Sequence, residues 1–214
     1  IFMKLTISTD PRIKTKISDL LPDQISIRIS GCFDETMTKN FCEDFSKAHQ
    51  TGQPVIPIII DSFGGQVYSL LEIIGIIQTS KLPIMTICSS KAMSCGAILF
   101  CFGTEGYRFM SPHATFMVHE VSSIELGKNN EIQSGAKEVQ RLNDKILQLA
   151  SENISSNKNF FSDLVHKNNH ADLYLDAKIC KKYNICNHVG IPEINVKVGV
   201  NYSISSANTD LFSF

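Results

Sequence analysis

Apolar and polar residues alternate along "ISIRIS", residues 25–30, the period of two expected of a strand with one buried face. Gly31 breaks the pattern. "DETMTKNFCEDFSKAHQ" then sets Met37, Phe41 and Phe45 on one face, which predicts an amphipathic helix ended by "TGQP". "PVIPIIID", 54–61, is short, apolar and rich in β-branched residues, as a buried strand is. Pro57 has no N–H to give a ladder, and this argues against a central position. After "SFGG", the stretch 66–79 places Val67, Leu70, Leu71, Ile74 and Ile77 at helical spacing. "LPIMTICSS" predicts another buried strand, "AILFCFG" a helix following a turn at Ser94, and "ATFMVHE" a strand ending at His119. Ile132, Ala136, Val139, Leu142, Ile146 and Leu149 recur at steps of three and four, so a long helix is expected from 129 to 154. "SSNKNFFSDLVHKNNH" reads as loop, helix, loop.

Strands alternating with helices predict an α/β fold with a parallel sheet and right-handed crossovers. The long helix is the odd element. Two readings are open: it lies across its own sheet, or it projects to pack against another body.

Composition narrows the function classes. With 214 residues, 43% hydrophobic and 19% charged, the chain can bury a core and is not globally disordered. A formal net charge of −1 without a basic block argues against a nucleic-acid surface. The seven cysteines, Cys32, Cys42, Cys88, Cys95, Cys101, Cys180 and Cys186, are odd in number and include no CxxC pair. Buried free thiols in a reducing cytoplasm are expected, rather than disulfides or a metal site. No apolar run reaches signal-peptide or membrane-span length, and Met3 is the expected natural start.

Ser94 follows a predicted strand and precedes a predicted helix, among small residues. A sharp turn there would lift its hydroxyl as a nucleophile elbow does. A serine capping a helix is the competing reading, and on this motif alone the more frequent one. Gly64 and Gly65 permit positive φ and close backbone approach; they either serve an ordinary turn or offer amides to an oxyanion or a phosphate. His119 ends a strand where parallel sheets place reactive groups; His49, His113, His166, His170 and His188 are its rivals as general base. Asp172 in "HADLYLDAK" is one candidate to orient an imidazole, with Asp163 and Asp176 as alternatives.

Several stretches together resemble one family. "DSFGGQV", "KAMSCGAILF", "GYRFMSPHATFMVHE" and "DLYLDAKICKKYNICNHVG" are similar, in order and spacing, to motifs of the proteolytic subunit of the caseinolytic (Clp) protease. A few extra residues fall around "SSNKNFF". The resemblance covers roughly 25–192. It implies the ClpP/crotonase-like fold of repeated β-β-α units in a spiral, with a compact head and a long protruding handle helix at about 120–155. Residues 1–24 are then an N-terminal segment and 193–214 a tail. It also implies peptide-bond hydrolysis without ATP inside an oligomeric chamber, with Ser94 as nucleophile, His119 as base, Asp172 as third triad member, and the Gly65 and Cys95 amides as oxyanion hole. Ser122, Ser123, Ile124, Glu125 and Leu126 would pair with substrate as an added strand. The implied partners are heptameric, double rings of this chain, a AAA+ ATPase unfoldase, and peptide or unfolded-protein substrates. No cofactor, metal, nucleic acid or membrane is implied. The location would be cytoplasmic, or the host or organelle cytosol.

Departures from the family pattern are local. Phe63 stands where the family has proline, "EVSSI" follows His119 in place of Gln-Pro and glycines, and Ala171 replaces an arginine used in ring-to-ring contact. The N-terminal segment lacks the family's axial-loop pattern. Three other readings stay open: a silent ring subunit, a crotonase-like acyl-CoA binder, and a small α/β-hydrolase with His188 as base.

Overall fold

The computed structural model describes residues 24–193, so the expected tail from 194 and the expected N-terminal segment up to residue 23 lie outside the described residues. Strand β1 (Ile27–Phe33) leads into helix α1 (Glu35–Gln50), whose first turn is closed by Asp34: its carboxylate accepts from the Met37 N–H at 2.7 Å. Then come β2 (Ile56–Gly65), α2 (Val67–Gln78), β3 (Ile84–Met93) and the short α3 (Cys95–Cys101). Two short strands, β4 (Arg108–Met110) and β5 (Thr115–Val118), precede the long helix α4 (Asn129–Asn153). The chain continues through α5 (Phe160–Lys167), β6 (Leu173–Asp176), α6 (Ala177–Lys182) and β7 (His188–Val189).

The result is a mixed α/β architecture with a mainly parallel sheet. Its main path runs β1-β2-β3-β4-β7, all neighbours parallel. β3 is long enough to use one edge twice. Thr86–Cys88 pair with β4, and Lys91–Met93 pair with β5. β6 closes on β5 antiparallel.

The first halves of β2 and β3, Ile56–Ile60 and Ile84–Cys88, are largely buried, as central strands covered on both faces must be. Pro57 does lie in a central strand, against the sequence expectation. The Ile56 N–H turns toward β3 and donates to the Pro83 carbonyl, so Pro57 faces β1. There the pairing starts only at Ile58, and the missing N–H removes no ladder bond.

Helix α3 packs on β2 and β3, while α4 reaches α3 and α5. The two halves of α4 differ. Leu142, Ile146, Leu147 and Ala150 are buried, whereas residues 129–134 are exposed. The helix therefore packs on its own domain through its C-terminal half and presents its N-terminal half to solvent.

A fully buried Arg108 ties the β4–β7 side together. Its guanidinium donates to the carbonyls of Gly103, Asn184 and Ile185, each at 3.1 Å, and to Glu105 at 2.7 Å. The Asn187 amide oxygen accepts from the Arg108 and Gly106 N–H groups. The charged partner holds the Glu105 carboxyl below its ordinary range, chiefly through the hydrogen bond from Arg108.

Candidate active site

Strand register gathers three polar side chains. Met93 pairs with Met117 at the end of β3, and the next N–H, that of Ser94, donates to the Met117 carbonyl at 2.9 Å. Val118 pairs with Leu173 across the antiparallel β5–β6 ladder. One residue beyond each paired end stand Ser94, His119 and Asp172. His119 Nε2 lies 2.8 Å from Ser94 Oγ. For the hydroxyl to donate, Nε2 must be the unprotonated ring nitrogen, which turns Nδ1–H toward Asp172. That second link is longer, 3.9 Å from Nδ1 to Oδ1, beyond direct hydrogen-bond range, and the Asp172 side chain is 52% exposed. The Asn168 amide donates to the Ala171 and Asp172 carbonyls, both at 3.1 Å, and fixes the turn before β6.

Ser94 occupies the N-cap position of α3, yet its side chain makes no cap hydrogen bond. Its backbone is at φ 53° and ψ −121°, outside the ordinary allowed basins for a residue with a side chain. Such a conformation costs on the order of 1–3 kcal/mol and persists only where the surroundings impose it. The cap reading is thus met in position but not in chemistry, because the hydroxyl points to His119.

The glycine pair permits the approach of β2. A Cβ on Gly64, at φ 110°, would stand 2.6 Å from the Ser94 Cβ. One on Gly65, at φ 152°, would stand 2.4 Å from the Phe33 nitrogen and 2.5 Å from its oxygen. Neither position has room for a side chain. Cys95, the first residue of α3, is buried, and its Sγ donates to the Gly65 carbonyl at 3.2 Å. Burial pushes its thiol up to about 11, so it stays protonated at neutral pH. Gly65, Cys95, Ile98, His119, Val121 and Ile146 are among the residues that line the small cleft at Ser94.

The other sequence candidates fall elsewhere. His49 bonds to the Phe45 carbonyl and the Ser80 hydroxyl. His188 bonds to the Gly106 carbonyl and stacks on Phe109. Asp176 caps α6 through the Ile179 N–H, and Asp163 sits in the first turn of α5. Ser122, Ser123, Ile124, Glu125 and Leu126 lie on a stretch without regular secondary structure. Ser122 borders the cleft, while Ile124 and Leu126 are 88% and 90% exposed. Phe63 is also exposed, with Lys91 above its ring.

Two features escaped the sequence reading. The Val121 N–H donates at 3.1 Å to Asn143, a buried polar residue on the apolar face of α4, which anchors the chain just after His119. The available signal was an asparagine between Leu142 and Ile146. Glu120 meets His166 and His170, and among the described residues these three alone form a group of His, Cys, Asp or Glu side chains close enough to share an ion. Here the histidines were four residues apart, but nothing linked them to Glu120.

The family model described as Clp protease matches residues 9–193. That family implies a serine peptidase hydrolase, and its members generally assemble as rings. With a match over most of its length, this chain belongs to the Clp protease family.

Proposed function

We propose that the chain is a serine endopeptidase in which Ser94 attacks the peptide carbonyl, His119 is the general base and Asp172 orients the imidazole. The observation that carries this reading is the 2.8 Å contact between His119 Nε2 and the hydroxyl of a serine held at φ 53°. In the first step His119 takes the Ser94 proton as Oγ bonds to the carbonyl carbon. The tetrahedral oxyanion is held by the Gly65 and Cys95 amides. The imidazolium then gives its proton to the leaving amine as the C–N bond breaks. A water, deprotonated by His119, releases the acyl group and restores Ser94. None of these steps consumes ATP.

Substrate would lie as an added strand along Ser122–Leu126, whose backbone forms no strand ladder among the described residues. The exposed half of α4 supports a handle role in about 120–155 of a protease domain spanning 25–192, with heptameric and double rings as the assembly. Ring closure would place the site in a chamber in the cytoplasm, and a AAA+ unfoldase would be needed for folded proteins. Ala171 removes an arginine contact between rings, so the double ring would rest on α4.

A reactive fluorophosphonate probe tests the assignment. Labelling is expected on Ser94 and lost in Ser94→Ala; equal labelling of the variant overturns it. The 3.9 Å gap to Asp172 favours one second reading, a ring subunit silent alone and active only when assembled with a partner. Peptidase activity of the purified, assembled chain by itself would dismiss that reading.

A further inference from the structure

Glu120 directly follows His119, and its side chain faces a different set of neighbours. His170 Nδ1 is 2.9 Å from Glu120 Oε1, and His166 Nε2 is 3.8 Å from the same oxygen. All three ligand atoms lie within 4.8 Å of one another. The two imidazoles crowd together, with ring centroids 4.6 Å apart at 40°.

Backbone conformation adds an independent observation. His166 belongs to α5, but His170 lies beyond its end. There Asn169 and His170 both adopt left-handed backbone, at φ 55° and 59°. Two successive non-glycine residues in that region are held at a cost, and the Asn168 amide bonds to the Ala171 and Asp172 carbonyls fix the turn. The turn sets the His170 ring back beside His166. An exposed histidine–carboxylate pair by itself is worth little and would need neither the second ring nor this turn.

We propose that Glu120, His166 and His170 form a binding site for a divalent transition-metal ion of the zinc type. The donor set is two imidazole nitrogens and one carboxylate oxygen, which suits zinc, cobalt, nickel or copper. Magnesium and calcium, which take oxygen ligands, are disfavoured. Tetrahedral zinc with bonds of about 2.0–2.1 Å needs donors roughly 3.3–3.5 Å apart. The present separations of 2.9 and 3.8 Å from Glu120 Oε1 bracket that spacing, and the side chains, each at least 38% exposed, have room to adjust to it. The fourth position is left to water or an external ligand. Occupancy would fasten the 168–172 turn to the segment leaving β5. That links the backbone carrying Asp172 to the backbone carrying His119. The site itself does not depend on the peptidase reading.

Zinc binding to the assembled, chelator-stripped protein, measured by competition with a chromophoric zinc indicator, tests this. We expect a site on each chain that magnesium does not fill. His166→Ala, His170→Ala and Glu120→Gln should each weaken zinc affinity about 10–100-fold, a ligand counting for at least as much as an outer-shell partner. His119→Ala should leave it unchanged. Thermal melting checks that each variant is folded. Cobalt substitution should give ligand-field bands without thiolate charge transfer. A thiolate band would assign the ion to cysteine and overturn the proposal. So would undiminished affinity in the His166→Ala/His170→Ala double variant, the absence of zinc binding in the unaltered protein, or its loss in His119→Ala.

Discussion

Two polar clusters on this sheet are built on opposite plans. Around Arg108 every nitrogen of the guanidinium group donates inside the chain, in four hydrogen bonds, and the side chain has no exposure. Around Ser94 the chain stops short: one hydrogen bond is tight at 2.8 Å, the next link is 3.9 Å, and Asp172 is half in solvent. The first cluster holds β4 to the turn between α6 and β7, which costs little once its partners are in place but much if one is removed. The second keeps hydrogen-bonding capacity unspent, and its conformation is a strained serine rather than a satisfied charge. A closed network of this kind stabilises a fold, while an open one leaves room for a substrate to complete it.

Ser94→Ala should separate the two most widely. Peptidase kcat is expected to fall by about 10⁵–10⁶-fold with an unchanged melting temperature. A protein that unfolds instead would make Ser94 part of the structural class. Asp172→Asn comes next. A buried aspartate in such a triad commands about 10⁴-fold in kcat. With a half-exposed carboxylate at 3.9 Å, steady-state kinetics should register a smaller loss, about 10²–10³-fold. A loss as large as that of Ser94→Ala would mean that assembly closes the gap and that the contrast belongs to the isolated chain alone.

Arg108→Met reverses the pattern. It strands two buried carbonyls and a part-buried one, so denaturant melts should report a loss of about 3 kcal/mol, with turnover per folded molecule preserved. The smallest effect concerns Glu105, whose folded-state carboxyl is held below its ordinary value by Arg108. Its stabilising contribution is present above the ordinary carboxylate range of about 4 and is lost as pH falls through the lowered folded value. The stability difference between the unaltered protein and Glu105→Gln should therefore shrink on acidification below about pH 4. A difference that grows would place the carboxylate outside the Arg108 network.

The long elements were legible because their periodicity is strong. α1, α2, α4 and the core of β2 and β3 stand where the hydrophobic pattern puts them. β4, β6 and β7 are two to four residues long, too short to show a period, and their existence is decided by pairing partners far along the chain. Pro57 misled because sequence alone does not tell which side of a strand an N–H faces. The strand–turn–helix context of Ser94 was readable, but not its backbone angles, which depend on β2 and β5 closing around it. Glu120 and the two histidines were invisible as a group, because the antiparallel β5–β6 ladder is what brings residue 120 beside residues 166–170.

That ladder has a consequence for how the chain can change length. Ser94, His119 and Asp172 are each placed by a pairing one residue away, so an insertion within β3, β5 or β6 would turn the adjoining side chain to the opposite face. An insertion between Asn153 and Phe160 meets no such count, since α4 and α5 are joined there by a surface turn and the strand ends are fixed independently. The extra residues around "SSNKNFF" fall in that tolerant stretch and its edge. The same stretch is where an epitope or a small domain could be spliced into the chain while the alignment at Ser94 stays intact.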